Sequence, residues 1–91
     1  MPVTIQVAEV LRRYAPGGGE VVVDGADVRS ALNGLFAAHP ALRTRVVRPD
    51  GTPWPYLLLF RNDRELPRDG LLDAPLADGD TLEIVGAAEG G

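Results

Sequence analysis

Apolar and polar residues alternate over Val3-Thr4-Ile5-Gln6-Val7, and a period of two predicts a half-buried strand from Val3 to Ala8. Pro16-Gly17-Gly18-Gly19 breaks the alternation, and Glu20-Val21-Val22-Val23-Asp24-Gly25 resumes β-branched character, so the two runs predict a hairpin with a long loop. The period then changes. Val28, Ala31, Leu32, Leu35 and Phe36 fall at i, i+3, i+4, i+7 and i+8, one apolar stripe on a helix that Asp27 caps and Pro40 ends. Burying Val28, Leu32, Leu35 and Phe36 contributes roughly 1.5–3 kcal/mol each, enough to make this helix the cover of the core. Gly34, inside it, costs up to about 1 kcal/mol relative to Ala. A further helical turn is expected between Ala41 and Val47, with Leu42 and Val46 facing inward.

Pro49-Asp50-Gly51-Thr52-Pro53 is turn chemistry, and Trp54 follows between two prolines. A tryptophan there fits the edge of a core, and it also fits a partner-facing anchor. Tyr56-Leu57-Leu58-Leu59-Phe60 is a near-continuous apolar run, as expected of a strand covered on part of both faces. Asn62-Asp63 predicts a tight turn, because both residues tolerate positive φ, into a short edge strand Arg64-Glu65-Leu66 closed by Pro67. Leu71, Leu72 and Leu76 pack down a loop or 3₁₀ segment between Asp69 and Asp80. After the Asp78-Gly79 turn, Leu82 and Ile84 face one side of a last strand and Thr81, Glu83 and Val85 the other. The order β-β-α-β-β-β with one main helix is an α+β layer arrangement.

Ninety-one residues make one domain with one modest core. No apolar run approaches the ~20 residues of a membrane span, and Met1-Pro2-Val3 leads straight into strand pattern, so a cytoplasmic protein is expected. Net charge is −4, with the arginines scattered singly or in one pair, which argues against a nucleic-acid partner and for a protein partner with a basic docking face. Cysteine is absent, which excludes disulfides, thiolate metal sites and a cysteine nucleophile. A single histidine, His39, makes a metal site improbable and suits the C-terminal end of the helix. Lysine is absent too. All nine basic residues are arginines, so the chain lacks the side chains most ready to attack an activated carboxyl group. The glycine run at 17–19 is a loop, since neither Gly-Lys-Ser/Thr nor G-x-G-x-x-G spacing accompanies it. Asp78 and Asp80 match solvated turn positions, and no catalytic constellation emerges.

What remains is the end, Ala87-Ala88-Glu89-Gly90-Gly91, which buries too little apolar surface to offset the ~1–2 kcal/mol cost of ordering each residue. A mobile tail over 87–91 following a domain over 1–86 is expected. Without side chains beside its carboxylate, Gly-Gly can thread a narrow channel. A terminal Gly-Gly alone fits a frayed end equally well. The run Leu76-Ala77-Asp78-Gly79-Asp80, the alternating strand Thr81 to Gly86, a short spacer and the final Gly-Gly together resemble the MoaD/ThiS family of ubiquitin-like sulfur carriers. Leu11-Arg12-Arg13, the glycine loop and the length are most similar to carriers of the CysO type, which serve cysteine biosynthesis.

The resemblance implies a β-grasp fold: a mixed sheet of four to five strands, first and last strands central and parallel, one main helix across one face. It implies a carrier that is no enzyme and binds no cofactor. An E1-like adenylating enzyme uses ATP to activate the Gly91 carboxylate, a sulfur donor protein or sulfide displaces AMP, and a thiocarboxylate results. Gly90, Glu89, Ala88 and Ala87 would be read as the tail, and Val85 would dock the activating enzyme. A cysteine synthase-like acceptor comes first. The small subunit of molybdopterin synthase and supply of a thiazole synthase are alternatives, and Gly86-Ala87, where other members carry prolines or bulkier residues, leaves the acceptor open. From another class, a noncovalent ubiquitin-like module or a protein modifier also fits.

Overall fold

The computed structural model describes residues 2–15 and 17–86. The expected tail over 87–91 lies outside the described residues. Strands β1 (Pro2–Val7), β2 (Glu20–Asp24), β3 (Leu57–Arg61), β4 (Arg64–Glu65) and β5 (Thr81–Gly86) form one sheet in the order β2-β1-β5-β3-β4. β1 and β5 run parallel, with Ile5 opposite Leu82 and Val7 opposite Ile84, and every other pairing is antiparallel. One helix, α1 (Val28–Ala38), covers one face. This is the β-grasp arrangement that the family resemblance implied.

Period-two patterning sets the faces. Val3, Ile5, Val7, Leu57, Leu59, Leu82 and Ile84 are buried beneath α1, which returns Val28, Ala31, Leu32, Leu35 and Phe36. Asp27 caps the helix through Ser30: its carboxylate accepts the Ser30 amide at 2.8 Å, and Ser30 Oγ accepts from the Asp27 amide at 3.3 Å. Gly34, a propensity cost in the sequence, has a packing reason. A Cβ there would sit 3.0 Å from Val23 Cβ, so its absence lets α1 approach β2.

Past α1, His39 is the C-cap, its amide bonded to Leu35 O at 2.8 Å. A 3₁₀ turn, Pro40–Leu42, runs into the short helix α2 (Arg43–Val46), with Leu42 and Val46 fully buried as their spacing predicted. Between β1 and β2 the expected open loop contains a six-residue 3₁₀ helix, Glu9–Tyr14, anchored by buried Leu11. Tyr56 lies outside β3, 57 % exposed, because the turn after Pro55 delays the first ladder residue to Leu57.

Asp80 is not the solvated turn residue that the pattern suggested. Only 8 % exposed, its carboxylate accepts from the Ala77 amide (2.7 Å), Arg61 Nε (2.7 Å) and Asn62 Nδ2 (3.2 Å). Asn62 alone takes positive φ in the β3–β4 turn, at 56°, and its Oδ1 accepts the Thr81 amide at 3.1 Å. The Ala77 amide, then Arg61 and Asn62, hold the Asp80 carboxyl below its ordinary 3.8. A carboxyl lowered on folding stabilises fully above its unfolded value and loses that contribution as pH falls through the folded one. Asp80→Asn should therefore lower the melting temperature at neutral pH and narrow the gap to wild type as pH falls below about 4. Thermal melts across that range check this, and a gap that widens on acidification would contradict it.

Candidate functional site

Because β1 and β5 are parallel, both end at the same edge of the sheet, where Gly86 leads the chain toward Gly91. Gly86 pairs with Leu57, the first residue of β3, so the exit is flanked by the end of β1 on one side and the start of β3 on the other. Two arginines brace these flanks. Arg12 Nε donates to Val7 O at 3.2 Å, and the Arg12 side chain fills the space beside Gly19, where a Cβ would lie 2.6 Å from Arg12 Cγ. Gly19, at φ 79°, donates no side chain but accepts the Val7 amide through its carbonyl at 2.7 Å. On the other flank Arg68 binds the carbonyls of Pro53, Trp54, Pro55 and Leu57, pinning the segment that begins β3. Nothing local in the sequence marked Arg68, since its acceptors lie 11 to 15 residues away.

Trp54 is half-buried against the core, its Nε1 bonded to Thr44 O at 3.0 Å and its ring stacked on Tyr56 at 6.1 Å. It occupies the edge of the core, beside the exit. A shallow groove of about 200 Å³ runs past the exit, lined by Gln6, Ala8, Glu9, Arg12, Glu83 and Val85 among others.

The sheet face away from α1 is the other candidate surface. Val85 lies on it, half-buried, directly opposite Leu58, with Phe60 opposite Glu83. Every charged residue at an outward register position is acidic: Glu20, Asp24, Glu65 and Glu83. The expected acidic and partly apolar face is thus assembled around Val85. Gly91, Gly90, Glu89, Ala88 and Ala87 lie outside the described residues, so the site is known from its root.

A larger hollow, about 420 Å³, lies on the helix side between Arg29, Arg48, Pro53, Arg68, Leu71 and Asp73. Two of its three arginines are committed, Arg29 to Asp73 and Arg68 to the four carbonyls, which makes it a poor anion site. Among the described residues no cluster of His, Cys, Asp or Glu is arranged to hold a metal ion, and no helix is long and apolar enough to cross a membrane.

No family model matches the chain. Solved structures and curated proteins do. SAMP1 from Haloferax volcanii, a small archaeal modifier protein, is 31 % identical over the whole of both chains, with a TM-score of 0.82. A chain of the Amycolatopsis orientalis BexX/CysO complex is 29 % identical, covering 98 % of this chain and 99 % of its own, with a TM-score of 0.86. The sulfur carrier protein CysO of Mycobacterium tuberculosis (strain ATCC 25618 / H37Rv) is 27 % identical over 93 residues, spanning both chains completely. The fold and these full-length likenesses define a ubiquitin-like carrier. The chain belongs to the ubiquitin-like sulfur carriers of MoaD/ThiS type.

Gly19→Ala tests the brace on the β1 flank. It places a Cβ into the Arg12 side chain at a left-handed φ, so it should cost about 1 kcal/mol or more. Denaturant unfolding measures this, and an unchanged midpoint would mean that Arg12 moves aside freely.

Proposed function

We propose that this protein carries sulfur on Gly91 as the substrate of an adenylating enzyme rather than as a catalyst. The observation that carries the reading is the Gly90-Gly91 pair, four and five residues beyond β5, in a chain similar end to end to a sulfur carrier protein. A carboxylate resists nucleophiles, so activation comes first. An E1-like enzyme joins the Gly91 carboxylate to the α-phosphate of ATP and releases pyrophosphate. Sulfide then displaces AMP and leaves a thiocarboxylate; the persulfide of a donor protein displaces AMP to form an acyl disulfide, which a second thiol reduces to the same thiocarboxylate. That group is an ionised nucleophile at neutral pH, whereas a thiol needs its pKa lowered by its surroundings. A chain without Cys or Lys offers its own acyl-adenylate no competing side chain of those types. The setting we assign is the cytoplasm, and the pathway is cysteine formation through a pyridoxal phosphate-dependent synthase. Molybdopterin or thiazole synthesis is the next destination.

The likeness to a small archaeal modifier protein favours one second reading, in which the activated Gly91 joins lysines of other proteins. The two readings part after activation. Incubated with ATP, a cognate activating enzyme and sulfide, the protein should gain the mass of one oxygen exchanged for sulfur. With an activated serine derivative and the synthase it should then carry a cysteinyl adduct on Gly91. An unchanged mass with a demonstrably active enzyme removes the carrier reading. Isopeptide adducts in cells, without a thiocarboxylate, would install the modifier.

We assign the activating enzyme to the outer sheet face, a reading supported by the apolar strip that Val85, Leu58 and Phe60 form among carboxylates. Val85→Asp should slow adenylation about tenfold or more by burying an unpaired charge in that contact, with little change in melting temperature. Unaltered pyrophosphate exchange would move the contact elsewhere.

A further inference from the structure

The end of the molecule around the exit differs in charge from the sheet face. There the 3₁₀ helix Glu9–Tyr14 follows β1, α2 packs alongside, and residues 48–56 lead into β3. Among the described residues four arginines lie over aromatic rings, about once per 70–80 residues being usual. Three of them lie on the segments that follow β1 and precede β3. Arg13 and Arg45 both cover Tyr14, at 5.5 and 4.4 Å, and Arg48 lies over Trp54 at 5.7 Å. A guanidinium stacked by its face keeps its N–H edge free for carboxylates, and the ring holds it in place at low entropic cost. Asp50, the acid on the neighbouring loop, accepts from Thr52 Oγ1 at 2.6 Å and offsets part of the charge of Arg48.

Two of the three most exposed large apolar residues lie beside these segments, Val10 at 61 % and Tyr56 at 57 %, while the third, Val22 at 66 %, is on the outer sheet face; Tyr56 immediately precedes Leu57, the partner of Gly86. Tyrosine, tryptophan and arginine held rigid in one patch are the residues that dominate interface energetics. Reach limits every enzyme that receives Gly91, the activating one included, to one face or the other beside the exit. Gly91 stands five residues past Gly86, at most roughly 18 Å of extended chain. Any enzyme whose active site receives Gly91 must therefore lie against the surface around Gly86.

We propose that Arg13, Tyr14, Arg45, Arg48, Trp54 and Tyr56 form a second docking surface, fitted to an acceptor enzyme whose tail-receiving mouth is rimmed by carboxylates. The proposal rests on the carrier reading. Its separation from the activating contact follows from charge: a basic partner that complements Glu20, Glu65 and Glu83 would be repelled by the arginine rim. One carrier thus presents opposite potentials to the enzyme that loads it and the enzyme that unloads it. A net charge of −4 disfavours nucleic acid as the occupant.

The test uses the full-length chain, the activating enzyme, and two acceptors from the same genome, the pyridoxal phosphate-dependent cysteine synthase and the molybdopterin synthase large subunit. Intact mass follows formation and consumption of the thiocarboxylate separately. The variant R13E/R45E/R48E should load within about twofold of wild type. Whichever acceptor unloads wild type should unload the variant at least about tenfold more slowly at low salt, within the range of electrostatic steering. High salt should narrow the difference. R13K/R45K/R48K, which keeps the charge, should unload near the wild-type rate, separating electrostatics from damage to the fold. Equal unloading of the glutamate variant, loss of loading together with unloading, or wild-type binding to a single-stranded RNA probe that the glutamate variant loses would each overturn this inference alone. A wild-type chain that never gains sulfur, or that neither acceptor unloads, would overturn the carrier or pathway reading and this inference with it.

Discussion

The Asp80 carboxylate is the point on which the placement of the exit depends. Three donors from three places converge on it: the Ala77 amide of its own turn, Arg61 at the end of β3, and Asn62 in the β3–β4 turn. Its carbonyl in addition accepts the Thr4 amide of β1 at 3.0 Å. One residue therefore fixes the start of β5 against both of its neighbours. Since side chains alternate along a strand, a slip of one residue there would turn Leu82 and Ile84 outward and Glu83 and Val85 into the core. The same slip would move Gly86 relative to Leu57 and the end of β1. An acid buried among hydrogen-bond donors thus defines which residues surround the root of the tail, some six residues along the chain.

The elements that sequence periodicity predicted are those whose pattern is set by a single buried face. β1, α1 and β5 belong here, because Val3-Ile5-Val7, the stripe from Val28 to Phe36 and the Leu82-Ile84 pair face one core. The parallel pairing of β1 with β5 was not legible in periodicity, which is blind to strand order, and came only with the family resemblance. Three features stayed hidden for a different reason. The 3₁₀ helix Glu9–Tyr14 has one well-buried apolar residue, Leu11, too few to show a period. Arg68 and Asp80 act through partners distant in sequence, and side chains that bind remote carbonyls or guanidinium groups leave no local pattern. Val85 was assigned its face correctly by alternation, and Leu58 and Phe60 beside it emerge only when β3 is laid against β5.

Arginine does two kinds of work in this chain. Arg12 and Arg68 are structural, spending their N–H groups on Val7 and on the four carbonyls ahead of β3. Lysine would serve poorly at position 68, since an ammonium has three donors on one atom and cannot span carbonyls of four residues as a planar fork does. Arg13, Arg45 and Arg48 instead lie over the rings of Tyr14 and Trp54 and stay exposed. A net charge of −4 conceals this division, because the charged residues at outward positions of the sheet, Glu20, Asp24, Glu65 and Glu83, are all acids, while these bases lie on the segments that follow β1 and precede β3.

The use of arginine also bears on the choice between carrier and modifier. An activated C-terminal carboxyl group reacts with whichever nucleophile reaches it, and lysine and cysteine side chains are the usual competitors. With neither lysine nor cysteine, and with nine arginines whose guanidinium groups stay protonated at neutral pH, this chain has no amine or thiol side chain to capture the acyl group. A second copy offers no lysine either, so branched chains of this protein, linked through lysine, cannot grow. If Gly91 were joined to other proteins, each joined lysine would carry one copy. A sulfur carrier gains more directly: between activation and the arrival of sulfur, the acyl-adenylate meets no lysine or cysteine of its own chain or of a second copy.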